Sequence, residues 1–357
     1  MQKILVIQQK MIGDVLISTL LCENLRQAYP NAQIDYMVYE STSDILNGHS
    51  SFDNLVLFKP EHRKSKLALL NLIKSIRRSN YDIVIDAYAK LESQLATLFS
   101  GATKKISYQK SKSDLIYTHS VLRKKKSSSN LGLIIEHRLA LLKPLGITDN
   151  LITHPKVYVT EDEKNFAEKL FKKHKLKEHL PNVMISAIGS ELAKTYPAKY
   201  MAQVVEQIVQ THKVNILFNY LPKQKDIALR IYNSCSTETQ KYIYFDLLGN
   251  SLREFIAIMN ECDLIIGNDG GAINIAKALK KPAFTIFSPW IDKAGWATFE
   301  DGNQNSSVHL KDFRTDLFTG ISTKEIKKSY QEFYENFKPN LFENQLNHFL
   351  NYNLSPT

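Results

Sequence analysis

Short apolar runs and longer stretches with helical spacing alternate along most of this 357-residue chain. Residues 3–8 (KILVIQ) read as a buried strand, 11–14 as a loop, and 15–29 as a helix that Pro30 stops. A strand at 34–39, a helix at 67–80, a strand at 81–86 and a helix at 90–99 follow. Residues 104–130 are polar, basic and serine-containing and read as a mobile loop, before a helix at 134–145 that ends at Gly146. The pattern then restarts. Residues 155–159 lead into a charged helix reaching about 175, and strands are expected at 181–186, 214–219, 242–246, 264–266 and 283–287. Helices at 197–211, 223–234, 252–260 and 272–279 separate them. Strand–helix alternation of this kind specifies parallel, doubly wound sheets. The expectation is an α/β chain of two such halves hinged near 160–180. The domains are then 1–170 and 171–322, with helices over 323–357, broken at Pro339, packing back on the first domain.

Composition narrows the class. A hydrophobic content of 43% and a charged content of 23% are those of an ordinary water-soluble chain. No apolar run approaches the roughly 18 residues of a membrane span, and the N-terminal apolar stretch is too short for a signal peptide. Cys22, Cys235 and Cys262 have neither metal-like nor disulfide-like spacing, so a reduced, cytoplasmic protein is expected. The charge is uneven. Residues 1–150 hold 21 Lys/Arg against 13 Asp/Glu, whereas 151–357 hold 25 against 23. The basic excess lies in 59–64, 74–78, 104–105, 110–112 and 123–126. It suits an anionic partner such as a phosphorylated glycolipid, a membrane surface or nucleic acid, or simply a solvated lysine-rich surface. Nucleic-acid binding further requires aromatics among the basic residues; residues 104–130 offer only Tyr108 and Tyr117, so nucleic acid is not expected.

The candidate chemistry sits at strand ends. Residues 263–289 (DLIIGNDGGAINIAKALKKPAFTIFSP) read as strand, glycine turn, helix and strand. In that geometry the free amides of a helix N-terminus face an anion, and paired glycines let a phosphate approach the main chain. A plain strand-to-helix turn is the bland alternative. Asp14, after the first strand, is either a helix N-cap or a cleft carboxylate able to take a proton from a hydroxyl. In the 186–200 segment Ser190 and Lys194 form a reasonable pyrophosphate clamp, though Lys194 also reads as an ordinary surface lysine. Ser251 is expected to cap the helix at 252–260, and Trp290 either lines a base pocket or packs locally. The ten histidines form no HExxH-like pair, and no GxSxG elbow is present, so no metal site is expected.

Together these segments resemble glycosyltransferase family 9, the heptosyltransferases of lipopolysaccharide core assembly, with a GT-B fold of two Rossmann-like domains facing across a cleft. The similarity runs in order from residue 3 to about 300. It includes the opening strand with IGD (12–14), YDIVIDAYAK (81–90), EHRLALLKPLGI (136–147), KTYPAKYMAQV (194–204) and the 263–289 segment. The resemblance implies that Asp14 activates the acceptor hydroxyl, with Lys10 and Gly13 beside the acceptor. It implies that Ser190 and Lys194 hold the donor phosphates, that Asp269 contacts the donor sugar, and that the amides of Gly270, Gly271 and Ala272 bind pyrophosphate. Gln224 stands where the family often has a ribose-binding Glu. Other departures are Ala89 for a usual glycine, Gly270 for Ser or Thr, Asn274 for His and Trp290 for Thr.

The function expected is inverting, metal-independent transfer of heptose from ADP-heptose, with no cofactor. The acceptor is an acidic glycolipid, the inner core of lipopolysaccharide or lipooligosaccharide, reached in the cytoplasm or at the inner membrane face. Two alternatives stand beside it. One keeps the fold but changes the donor sugar or uses a protein acceptor; the other is a non-catalytic nucleotide- or polyanion-binding protein.

Overall fold

A computed structural model describes residues 1–110 and 115–354 and divides into two compact units, Met1–Tyr158 and Val159–Thr357. The first unit holds β1 (Lys3–Ile7), β2 (Gln33–Tyr39), β3 (Asn54–Phe58), β4 (Ile83–Asp86), β5 (Lys104–Tyr108) and β6 (His119–Val121). All pair in parallel, in the order β3-β2-β1-β4-β5-β6. The register sets Ile4 of β1 between Ile34 of β2 and Ile83 of β4. These strands are apolar on both faces, as a parallel sheet covered by helices requires.

The second unit repeats the plan with β7 (Asn182–Ser186), β8 (Asn215–Asn219), β9 (Ile243–Tyr244), β10 (Leu264–Asn268), β11 (Ala283–Ile286) and β12 (Asn305–Val308). Their parallel order is β12-β11-β10-β7-β8-β9. Each sheet therefore reverses its winding at its first strand, between β1 and β4 and between β7 and β10. Outside the carboxyl ends of such strands lies the ligand crevice of an open α/β sheet.

Several expectations need correction. The 104–130 stretch is not a loop throughout: it supplies β5 and β6, because Ile106, Ser107 and Tyr108 are buried against the sheet and Tyr117 hydrogen-bonds Asp86 from the buried side. Lys112 and the rest of 111–114 lie outside the described residues. The first helix begins earlier than expected, spanning Ile12–Ala28 with extended Met11 as its N-cap. The helix expected at 134–145 is Leu133–Ala140 followed by a 3-10 turn, Lys143–Leu145, closed by left-handed Gly146. Strands β3 and β12 went unread. The terminal helices, expected to return to the first domain, are part of the second unit's core: Phe337, Phe342, Leu346, Phe349 and Leu350 are buried with Val204, Ile208 and Phe284. The charged helix Glu161–Lys173 also belongs there, capped by Thr160 and tied to Arg253 through Glu163 at 2.6 Å.

Candidate active site

In the first unit, Asp14 lies inside the first turn of helix Ile12–Ala28, so the N-capping alternative falls away. Its Oδ1 accepts from Nη2 of Arg138 at 2.9 Å. Arg138, on helix Leu133–Ala140, is only 3% exposed and spends its other donors on Ser18 Oγ (2.7 Å), Tyr108 hydroxyl (2.7 Å) and Gln8 Oε1 (3.1 Å). A buried guanidinium is tolerable only with such a full complement of acceptors. The pair fixes one oxygen of Asp14, whose side chain keeps 18% of its surface exposed. Arg138 carried no assigned role in the sequence, yet a lone cation in the apolar LIIEHRLALL run is a readable sign of a buried partner.

Gly13 is buried in the same first turn, and Lys10 is partly buried with its ammonium 5.7 Å from the Tyr39 ring. A cavity of about 570 Å³ opens beside them, lined by Lys10, Met11, Ile12, Tyr39, Pro60 and Arg63 among others. At the neighbouring end of β4, buried Asp86 accepts from the amides of Tyr88 (3.1 Å) and Ala89 (2.7 Å). Burial pushes its carboxyl up, against the pull of those bonds. Ala89 sits at φ +50°, a left-handed conformation that explains a glycine preference at this position.

In the second unit the donor candidates gather at the switch point. Lys194 ends a 3-10 turn (Leu192–Lys194), and its ammonium lies 4.0 Å from Oδ2 of Asp269, at the end of β10. Helix Gly271–Ala278 starts immediately afterwards; its N-cap, Gly270, makes no side-chain capping bond, so the first amides remain for a ligand. Gly270 has φ 166°, ordinary extended backbone, and a Cβ there meets nothing within 4 Å. The turn itself therefore does not require a glycine at 270. The demanding glycine is Gly267, at φ +134° with a Cβ position 2.5 Å from the Ser186 carbonyl oxygen.

Asn268, unassigned in the sequence, braces the site. Its Nδ2 donates to the carbonyls of Ser186 (2.8 Å) and Ala187 (2.9 Å), and its Oδ1 accepts from the Tyr196 amide (2.7 Å). The Lys194 loop is held from the other side through the Ala193 carbonyl, which accepts from Ser288 Oγ at 2.6 Å and Trp290 Nε1 at 2.9 Å. Trp290 therefore packs locally, with Lys194 5.5 Å from its ring centroid. Ser190 is exposed in the loop after β7. Gln224 accepts from the Leu221 amide and donates to the Gly189 carbonyl at 3.2 Å, tying two loops together. Asn274 turns its Nδ2 back onto the Gly270 carbonyl at 3.1 Å.

Behind Asp269 lies a charge cluster the sequence did not announce. Burial raises the Asp269 carboxyl, opposed by Lys194 and Lys277. Lys277, on the same helix, is buried, donates to the Thr298 carbonyl at 2.6 Å, and is pushed down to about 8 by burial. Glu300 nearby is raised by burial, against the influence of Lys277.

This arrangement has relatives. A family description, glycosyltransferase family 9 (heptosyltransferase), matches residues 69–311. The chain belongs to glycosyltransferase family 9. It is 28% identical over 297 residues to lipopolysaccharide heptosyltransferase 3 of Escherichia coli K12, covering 77% of this chain and 79% of that protein. Among solved structures, a family 9 glycosyl transferase of Veillonella parvula superposes with a TM-score of 0.70 at 16% identity, over 94% of this chain and 97% of the other. The Escherichia coli heptosyltransferase WaaC, solved with ADP, gives 0.65 at 16% identity over 93% and 100%. The two parallel six-stranded sheets with flanking helices match the GT-B fold of these heptosyltransferases. Family membership makes the protein a glycosyltransferase enzyme, and the non-catalytic alternative drops away. Among the described residues, no helix is long and apolar enough to cross a membrane.

Proposed function

We propose that this family 9 member transfers heptose from ADP-heptose to the acidic inner core of lipopolysaccharide or lipooligosaccharide, with inversion and without a metal. The observation that carries the donor half is the convergence of Lys194, Asp269 and an uncapped helix N-terminus at the switch point of the second sheet. Lys194 and the amides of Gly271 and Ala272 offer positive potential to a diphosphate. The same groups stabilise the charge that develops on the departing nucleoside diphosphate as its bond to the sugar C1 breaks. Ser190 adds a hydroxyl at the loop edge, and Asp269 accepts from sugar hydroxyls. Lys10 and Gly13 flank the acceptor. Asp14 takes the proton of the acceptor hydroxyl while that oxygen bonds to C1 from the opposite face, which inverts the anomeric centre.

Gln224, Gly270 and Asn274 favour a second reading with the same chemistry, in which the donor is another nucleotide sugar. The test is mass spectrometry of truncated lipopolysaccharide incubated with ADP-heptose and chelator, using wild type and Asp14→Ala. A heptose-sized gain present with wild type and lost in the variant supports the proposal. No transfer, with ADP-heptose still raising the melting temperature, removes the acceptor but keeps the donor. Neither transfer nor protection removes both.

A further inference from the structure

The helix Lys66–Arg78 has two apolar faces where a soluble domain needs one. Leu69 and Leu72 pack on the first unit's core, in which Ile76 is buried. On the opposite face Leu67 is 67% and Leu70 51% exposed. At about 100° per residue Leu67, Leu70, Lys74 and Arg78 form one stripe, since they stand three, seven and eleven positions along from the first. The adjacent helix, Leu91–Phe99, contributes Phe99, 53% exposed, and Leu98 beside it. Between the two helices lies a groove of about 380 Å³, lined by Leu70, Ile73, Lys74, Arg77, Arg78 and Phe99. Lone exposed leucines need no explanation, but a contiguous set does.

The charge identifies the occupant. Helix Lys66–Arg78 contains no acidic residue, and Lys74, Arg77 and Arg78 form no ion pair among the described residues. We propose that this face docks the first unit onto an anionic phospholipid bilayer. Apolar side chains and cations sharing one face supply the two signals that stable interfacial binding requires: burial in the acyl boundary and attraction to negative headgroups. The cations reach the headgroup level on long stems while Leu67, Leu70 and Phe99 enter beneath it. The surface differs from a polyanion groove, where aromatics would interleave with the cations to stack on bases; Phe99 is the one aromatic of this groove. The proposal is independent of the donor and acceptor assigned above.

The experiment is co-sedimentation of the full chain with vesicles of phosphatidylglycerol and phosphatidylethanolamine, against pure phosphatidylcholine, at low and high salt. The wild type is expected to pellet with the anionic vesicles and to be released by salt. Leu70→Gln/Phe99→Gln is expected to weaken partitioning at least tenfold through lost apolar burial. Lys74→Gln/Arg78→Gln is expected to weaken it about 25-fold, at about fivefold per cation. The pair Lys125→Gln/Lys126→Gln removes the same charge elsewhere and is expected to change it less than threefold. All three pairs are exposed, so far-UV circular dichroism should be unchanged. No vesicle binding by wild type, equal loss in the control pair, or retention by the Leu70/Phe99 pair overturns the proposal. Binding to heparin alone, untouched by the apolar substitutions, marks a plain polyanion surface and overturns it too.

Discussion

Replacing Arg138 by Met tests how the first unit holds its proposed base. The substitution keeps the unbranched apolar stem but deletes four hydrogen bonds, to Gln8, Asp14, Ser18 and Tyr108. Removing one member of a buried ion pair costs about 3–5 kcal/mol, because the partners are left desolvated and unpaired. In a unit of this size each kcal/mol moves the melting temperature by about 2–4 °C, so a fall on the order of 10 °C is expected. Asp14→Asn leaves the shape and removes the charge; as Asp14 is partly exposed, its cost should be nearer ~2 kcal/mol. The double variant separates the pair from the rest of the network. Urea unfolding at pH 7.5, followed by circular dichroism, should give a coupling energy of about 1.5–3 kcal/mol. Turnover of the folded Arg138→Met protein should drop in kcat with KM for donor little changed, since the proposed donor residues belong to the other unit. A coupling energy below ~0.5 kcal/mol, or a folded Arg138→Met enzyme with wild-type kcat, would refute the reasoning.

The second unit offers further tests. Gly270→Thr fits the open space and extended backbone at that position, so it should fold normally and, by adding a hydroxyl donor to a diphosphate, tighten ADP about tenfold by calorimetry. Gly267→Ala should destabilise by ~3 kcal/mol or more in urea unfolding, because its Cβ would press on the Ser186 backbone at 2.5 Å. Lys277 titrates at about 8 when folded and at 10.5 when unfolded, so the unfolded chain binds more protons between those values and stability rises with pH there. The stability of wild type relative to Lys277→Met should therefore increase by about 2 kcal/mol between pH 7 and 9.5; a flat difference would remove the buried charge from the argument. In the first unit, Ala89→Gly should relieve the left-handed backbone and raise stability by up to ~1 kcal/mol.

The alternation that specifies parallel sheets is readable because strands buried on both faces are apolar throughout, and eight of the twelve lie where an apolar run predicts a strand. The 104–130 segment misled because β5 and β6 approach the sheet's edge, where Lys104 and His119 face solvent and dilute the apolar signal. β12, the opposite edge strand of the second sheet, reads as Asn-Ser-Ser-Val and carries almost no apolar signal at all. Asp14, Lys194 and Asp269 are legible as candidates because ligands gather at strand ends next to helix N-termini. Arg138 and Lys277 could not be assigned roles, since what makes them informative is burial among partners distant in sequence, Ser18 and Gln8 for the first and Thr298 for the second.

The departures from the family pattern fall unequally on the two units, and that inequality bears on the donor. Around Asp14 the resemblance is intact apart from Ala89, whose amide still binds Asp86. Around Asp269 four side chains differ: Gln224, Asn274 and Trp290 close on the protein itself, whereas Gly270 does not. Asn274 bonds the Gly270 carbonyl, Gln224 bridges Leu221 and Gly189, and Gly270 presents open space where a hydroxyl is usual. The proposed site keeps its diphosphate grip through Lys194 and the helix amides, but Gln224 and Asn274 spend on the protein the polar groups that could discriminate one nucleotide sugar from another. Loss of a hydrogen-bonding group lowers discrimination more than it lowers binding of the shared diphosphate. The expected outcome is that ADP alone accounts for most of the donor affinity, with ADP-heptose binding less than tenfold tighter than ADP. Restoring Gly270→Thr and Gln224→Glu together should tighten ADP and ADP-heptose alike and leave that ratio unchanged within about threefold, because both ligands share the diphosphate and the ribose. A wild-type ratio above a hundredfold would show that sugar selection rests on Asp269 and the Lys277–Glu300 cluster behind it, and not on the altered positions.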